Sequence, residues 1–246
     1  MKITIITLFP ELFKGVFDFG PIRIAKNKGL VSIDFLDLKD FAKTPKDVDD
    51  YPYGGGPGMV IKPEPVKKSI LRAGKGYKIL TTPKGKKFNQ KMANALAKKD
   101  HLIIFCGRYK GIDERVRELF DLEVSIGDYV LSGGEIPAMV IIDAVVRLLE
   151  GATSDINSVL TDSFQDFILS EPQYTRPGVF EGKRVPSVLL SGNHKEIARY
   201  KRKMALKETL LRRPDLLLKA ELKEEDYKLL IEILKEARNE QHNERD

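Results

Sequence analysis

Three short apolar runs in this chain each break into a loop rich in glycine, proline or threonine, and a helical pattern follows each loop. Lys78-Ile79-Leu80 runs into Thr81-Thr82-Pro83-Lys84-Gly85. Residues 102–106 run into Gly107-Arg108-Tyr109-Lys110-Gly111, and Glu123-Val124-Ser125 into residues 126–134. After the last loop, a helix-period stretch extends from Glu135 to Glu150. Strands that alternate with helices build a parallel α/β sheet, because parallel neighbours need crossovers. Ligands of open α/β sheets bind beside the carboxyl ends of the strands, so the three loops define one candidate site. Glycines at 127, 133 and 134 allow positive φ and close backbone approach. A plain strand-loop-helix turn accounts for the same residues, since a lone glycine-rich loop is a weak signal.

The remaining segments fit around that core. Residues 2–8 read as a buried strand stopped by Pro10, 12–28 as a helix ending near Gly29, and 30–38 as a second strand through Val31, Ile33 and Phe35. Residues 40–59 read as a long loop centred on Tyr51-Pro52-Tyr53-Gly54-Gly55-Gly56-Pro57-Gly58-Met59. Neither this loop nor Gly74-Lys75-Gly76 has the spacing of a P-loop, which excludes that phosphate cradle. Helices are expected over 63–72, over 89–99 with Met92 and Leu96 on one face, and over 113–120 with Asp113 as cap. Residues 151–170 turn polar, with Thr153, Ser154, Asp155, Asn157 and Ser158, and read as an interdomain linker. Beyond them lie turn-rich 171–178, apolar 185–192 and helices over 194–211, 214–222 and 224–241.

With 42% hydrophobic and 32% charged residues the chain can build an ordinary core. No apolar run has the length of a membrane span, residues 1–8 are too short for a signal-peptide core, and the single Cys106 excludes an internal disulfide. A cytoplasmic location is expected. His101, His194 and His242 lie too far apart for metal-ligand spacing, so no metal site is assigned. The net charge is +6. Lys195, Arg199, Lys201, Arg202, Lys203, Lys207, Arg212 and Arg213 face only Glu196 and Glu208 within their segment. A second cluster, Lys84, Lys86, Lys87, Lys91, Lys98 and Lys99, contains no acid. Such clustering suits a polyanion, nucleic acid first. Solvated helix faces, or a hot habitat, also account for it.

Longer motifs carry a resemblance. Tyr53-Gly54-Gly55-Gly56-Pro57-Gly58-Met59, Cys106-Gly107-Arg108-Tyr109-Lys110-Gly111-Ile112-Asp113-Glu114-Arg115, the stretch from Ser125 to Pro137 and Asp162-Ser163-Phe164 resemble the bacterial tRNA (guanine-N1)-methyltransferase family. So do Tyr174-Thr175-Arg176-Pro177 and Val185-Pro186-Ser187-Val188-Leu189-Leu190-Ser191-Gly192-Asn193-His194. The resemblance spans essentially the whole chain. It implies a SPOUT-type α/β domain with a parallel sheet and a deep trefoil knot, followed by a small α-rich domain. The knot breaks the usual rule against threading, of which such folds are known exceptions. The implied division is a knotted cofactor domain over 1–160, a flexible linker over 161–170 and a helical tRNA-binding domain over 171–246. The implied enzyme is a homodimer with composite sites. It methylates N1 of guanosine-37, 3′ of the anticodon, from S-adenosylmethionine, and it depends on Mg²⁺ at a site not placed here.

By the same resemblance the cofactor loops are Thr81, Thr82 and Pro83, then Gly107, Tyr109 and Gly111. The third loop contributes Ile126, Gly127, Asp128, Tyr129, Val130, Leu131, Ser132, Gly133 and Gly134, with Pro137 behind it. Substrate contacts are expected from Tyr53, Gly56, Pro57, Ser163, Arg176, Ser191, Asn193 and His194, and from Arg202 and Lys203 on the basic segment. Guanine N1 carries a proton and attacks poorly until it is removed. Asp162 is the implied base and Arg147 the implied partner of O6; taken alone they read as an N-cap and a helix-end arginine. The family commonly has acids where this chain has Lys110 and Ser170, associated with the amino end of the cofactor; Glu171 is the candidate substitute. Two other functions use the same features: a knotted enzyme acting on ribose 2′-OH, and a non-catalytic RNA-binding protein.

Overall fold

The computed structural model describes residues 1–155, 159 and 161–243. The chain divides into two compact units, Met1–Val159 and Leu160–Asp246. Asn157, Ser158 and the expected boundary residue 160 lie outside the described residues.

The first unit runs β1 (Lys2–Thr7), α1 (Gly20–Asn27), β2 (Ser32–Asp37), β3 (Asp49–Asp50), β4 (Val60–Ile61), α2 (Pro63–Ala73), β5 (Tyr77–Lys87), α3 (Gln90–Leu96), β6 (His101–Cys106), β7 (Leu122–Ser125) and α4 (Glu135–Val146). Five strands form one parallel sheet in the order β2-β1-β6-β5-β7. Its central strands are apolar on both faces, as a sheet covered on both sides requires. Ile3, Ile5, Ile79, Leu102 and Ile104 pack on one face with Ala138, Ile141 and Val145 of α4. Ile6, Leu80, Ile103 and Phe105 pack on the other with Val66 and Ile70 of α2. The period-2 alternation of strands separates these two sets.

Several expectations give way here. The helix over 12–28 splits into 3-10 turns at Pro10–Phe13 and Val16–Asp18 and then α1, because Gly15 and Gly20 take φ of 82° and 59°. The 40–59 loop includes a 3-10 turn at Pro45–Asp47, and the antiparallel β3–β4 pair closes its end. α3 stops at Leu96, the 113–120 helix is a 3-10 segment over Glu114–Leu119, and α4 ends at Val146 with Arg147 as its C-cap. β5 continues past Thr81 through an irregularity, so that Thr81 and Lys86 both lie against Val124. Gly127, Gly133 and Gly134 are not in the left-handed region. Their role is close packing: a Cβ on Gly134 would collide with Thr81 Oγ1 and with the backbone of Cys106 and Gly107.

In the second unit the short pair β8 (Val179–Phe180) and β9 (Lys183–Arg184) precedes α5 (Ser187–Leu190), α6 (His194–Arg212), α7 (Pro214–Leu217) and α8 (Glu224–Asn243). The helix expected over 214–222 stops at Leu217. A small core joins Ala205 and Leu206 of α6 to Leu229 and Ile233 of α8, and Ile168 completes it. Asn193 caps α6 by accepting the Glu196 N–H.

Candidate active site

In the first unit the irregular stretch of β5 past Thr81 and the loops after β6 and β7 meet at the sheet's carboxyl end around a cleft of about 300 Å³. Thr81, Thr82, Pro83, Gly107, Tyr109 and Gly111 line it. Ile126, Gly127, Tyr129, Val130, Leu131, Ser132, Gly133, Gly134 and Pro137 complete the lining. Asp128 is not part of the lining; its carboxylate accepts from Lys87 Nζ at 2.7 Å. The walls combine apolar side chains such as Val124, Ile126 and Leu131 with peptide groups of three loops, the surface a nucleoside needs. Tyr109 sits in the left-handed region at φ 57° and is half exposed, and burial of part of its ring raises its hydroxyl pKa. Cys106, buried at the end of β6, has its thiol pKa pushed well up by burial.

The loops are locked by contacts that the sequence motifs did not single out. Arg108 Nε donates to both carboxylate oxygens of Glu135 at 3.1 Å, and Thr7 Oγ1 donates to Glu135 Oε1 at 2.8 Å. Glu135 is 1% exposed, and the Arg108 guanidinium lies 4.2 Å from the centroid of the Phe9 ring. Gly134 N–H donates to Gly107 O at 2.7 Å, and Arg108 forms a bridge with Gly133. This cluster ties the second loop, the third loop and β1 together. Its only sequence signal was a charged pair in otherwise glycine-rich loops.

The loop after β6 is also joined to the 51–59 stretch. Lys110 N–H donates to Met59 O at 2.9 Å, and the Lys110 stem crosses Gly58, where a Cβ would lie 3.0 Å from Lys110 Cγ and Cε. Tyr53 is fully exposed, and Gly56 takes φ of 108° beside Pro57. The Lys110 side chain is therefore laid along this loop. The acids in the cleft lining are Glu114 and Glu123, and both hold Arg117.

Arg147 belongs to the first unit, as the C-cap of α4. Asp162 belongs to the second, in a tight turn. Its Oδ1 accepts the Ser163 N–H at 2.9 Å, and Phe164 N–H donates to Ile168 O at 2.9 Å. Ser163 and Ser170 hydroxyls lie 2.9 Å apart, and Ser170 N–H donates to Ser163 Oγ. Leu169 N–H donates to Oγ1 of Thr209, which is fully buried and donates to Ala205 O. A pocket of about 210 Å³ beside the turn is lined by Asp162, Asp166, Ser170, Glu171, Lys201 and Arg202 among others. Glu171 is ion-paired with Lys201 at 3.3 Å.

The basic segment is largely neutralised within its own unit. Arg202 makes a two-pronged contact with Asp226 at 2.7 and 2.8 Å, which holds the Asp226 carboxyl below its ordinary range. Lys203 meets Glu232 and Glu236, Arg199 meets Glu225 and Glu232, and Arg212 and Arg213 meet Glu208 and Asp215. Ser191 and Asn193 shape the entry to α6, which begins at His194, and Arg176 is exposed.

Comparisons with known proteins agree with this architecture. A model of the family described as "tRNA (Guanine-1)-methyltransferase TrmD" matches residues 1–219. A tRNA (guanine-N(1)-)-methyltransferase of Dictyoglomus turgidum is 56% identical over 243 residues, covering 98% of this chain and 99% of the relative. Proteins of the same name from Thermosipho africanus and Thermotoga maritima are each 49% identical, over 97% and 96% of this chain and 99% and 98% of the relative. The chain, whose parallel-sheet unit gathers three glycine-bearing loops at one cleft, belongs to the tRNA (guanine-N1)-methyltransferase family.

Proposed function

We propose that this enzyme methylates N1 of the guanosine at position 37, 3′ of the anticodon, using S-adenosylmethionine held in the three-loop cleft. The observation that carries this reading is the convergence of the loops of β5, β6 and β7 on one cleft of nucleoside size in a chain of this family. When bound, the cofactor supplies a methyl group on a positively charged sulfur, already a strong electrophile. The protein's task is positioning and proton removal. Asp162 takes the proton from guanine N1, so that N1 can form its bond to the methyl carbon as the sulfur–carbon bond breaks. Arg147 donates to O6, where negative charge grows as the proton leaves. Fully exposed Tyr53, with Gly56 and Pro57, offers an aromatic surface to the RNA beside the cleft. Among the described residues no group of three or more His, Cys, Asp or Glu side chains is placed to hold a metal ion.

The reading extends to architecture. Residues 1–160 form the cofactor domain, 171–246 the tRNA-binding domain, and 161–170 the segment that carries the base between them. A trefoil knot through the cleft loops is supported by Gly85, which packs on the backbone of Glu123 and Val124, and by Phe88 N–H donating to Ser125 O at 2.8 Å. The third loop thus leaves β7 directly under the tail of β5. A homodimer with composite sites is supported by α4, whose Ile136 and Val140 are 55% and 43% exposed on one helical face. No helix among the described residues is long and apolar enough to cross a membrane. A tRNA substrate favours a cytoplasmic enzyme.

Transfer of labelled methyl from S-adenosylmethionine to tRNA, followed by nucleoside analysis, tests the reading. Label on guanine N1 is expected; label on a ribose hydroxyl, or none with tRNA still bound, overturns it. The turn that carries Asp162 gives a second expectation. Thr209→Val removes the acceptor of the part-buried Leu169 N–H, a lost bond that costs about 0.5–1.5 kcal/mol. As the turn loosens, kcat falls about ten- to a hundredfold while the KM for tRNA moves little. Thr209→Ser keeps the hydroxyl and restores kcat. A kcat equal in the Val and Ser variants would remove Thr209 from the positioning of the turn.

A further inference from the structure

The distribution of charge does not follow the basic helix. Residues 160–246 carry seventeen basic and sixteen acidic side chains, a net of +1. Residues 1–159 carry twenty-five and twenty, a net of +5. On α6 and its end, Arg199, Lys201, Arg202, Lys203, Arg212 and Arg213 all meet carboxylates of their own unit. Only Lys195 and Lys207 of that segment lack an ion pair among the described residues.

The lysines of the first unit are arranged differently. Lys84, Lys86, Lys87, Lys91, Lys98 and Lys99 are all exposed, and no acid occurs between residues 84 and 99. Lys87 binds Asp128, and Lys99 lies 4.8 Å from the centroid of the Tyr77 ring. Lys84, Lys86, Lys91 and Lys98 have no ion-pair partner among the described residues. Lys84 is on the rim of the cleft, Lys86 pairs with Val124 near the end of the β5–β7 ladder, and Lys91 is in the first turn of α3. Unneutralised ammonium groups thus run outward from the mouth of the cleft along one strand end and one helical turn.

We propose that Lys84, Lys86 and Lys91 form the surface that binds the sugar-phosphate backbone of the tRNA, and that this surface rather than α6 supplies most of the electrostatic part of the affinity. The proposal rests on the reading of the cleft as the methylation site. A cation already held by a carboxylate releases no counterion from RNA without first breaking its pair. A solvated lysine releases one counterion for each phosphate it meets. A track that begins at the cleft rim also orients the RNA toward the reacting base, which scattered charge does not.

The test measures tRNA binding by the full-length protein at KCl concentrations from about 50 to about 200 mM. Lys86→Gln/Lys91→Gln is compared with Lys195→Gln/Lys207→Gln, and thermal unfolding shows that each variant is folded. In the first variant the slope of log association constant against log salt becomes shallower by about 1.4–1.8, two phosphates at 0.7–0.9 each. Affinity at the lowest salt falls about tenfold or more. The helix variant keeps a slope close to wild type. A wild-type slope in Lys86→Gln/Lys91→Gln overturns the surface, and so does a larger loss of slope in the helix variant. Failure of the wild-type protein to bind tRNA at any salt overturns the methylation reading along with it, and the two failures are told apart by the wild-type curve.

Discussion

Asp162→Asn is expected to lower kcat/KM for methyl transfer to tRNA by about 10²–10⁴-fold, the usual contribution of a positioned general base. The substitution is chosen for what it preserves. The amide oxygen of Asn can still accept the Ser163 N–H that Asp162 Oδ1 accepts at 2.9 Å, so the turn keeps its local bond. Ile168 in the helical core and Leu169 on Thr209 hold the rest of the turn and do not depend on the carboxylate. On the role proposed for Asp162, what is lost is the ability to take a proton from guanine N1. The fall therefore appears in kcat, with KM for tRNA and cofactor affinity near wild type. Single-turnover transfer with labelled cofactor measures the chemical step directly. Activity within threefold of wild type would show that another group takes the proton.

How much of this was legible in the sequence depends on the range of the interaction. The central strands could be read because a parallel sheet is buried on both faces, and 102–106 is accordingly one unbroken apolar run. Each loop after such a run carried its own glycines, so the cleft was legible as soon as the strands were. The reason for the glycines was not. Gly54, Gly56 and Gly58 are in the left-handed region, whereas Gly127 is crowded by the Tyr129 ring of its own loop, and Gly133 and Gly134 by the loop that carries Arg108. The letter G is the same in both cases, and only the neighbour in space decides. The helix expected over 12–28 failed similarly, because its apolar spacing survives the breaks at Gly15 and Gly20.

The pairing of the basic segment was hidden for a related reason. Its positive charge is plain over nineteen consecutive residues, but the acids that meet Arg199, Arg202 and Lys203 lie on α8, twenty-four residues on from Arg202 and thirty-three from Lys203. Net charge within a window cannot register a partner outside it. In the same way, only the structure shows that among the lysines from 84 to 99 Lys87 alone has an ion-pair partner among the described residues. The cluster of Arg108, Glu135 and Thr7 joins positions 128 residues apart at its widest, which no motif spans.

That cluster carries the largest expected effect on stability. Glu135→Ala is expected to destabilise the first unit by about 3–5 kcal/mol, the cost of breaking a buried ion pair from one side. The Glu135 side chain is 1% exposed and that of Arg108 18%, so water cannot replace the lost carboxylate. Thr7 loses its acceptor as well, and α4 loses the acid in its first turn, where the helix dipole favours negative charge. Denaturant unfolding followed in the first unit should show a lower midpoint with an unchanged slope. The pair also links two adjoining loops of the cleft lining, so cofactor affinity should fall in the folded variant. The double substitution Arg108→Met/Glu135→Met separates charge from shape. Replacing both partners by apolar groups removes the stranded guanidinium, and the double variant should be more stable than Glu135→Ala alone. If the double variant is the less stable of the two, the pair acts through attraction that exceeds its desolvation cost. If Glu135→Ala lowers stability by less than about 1 kcal/mol, the range of an exposed pair, the cluster does not hold the loops. In the expected case the cofactor affinity of the double variant decides the remaining question. Affinity that stays low while stability returns assigns the geometry of the cleft to the bond between Arg108 and Glu135 itself.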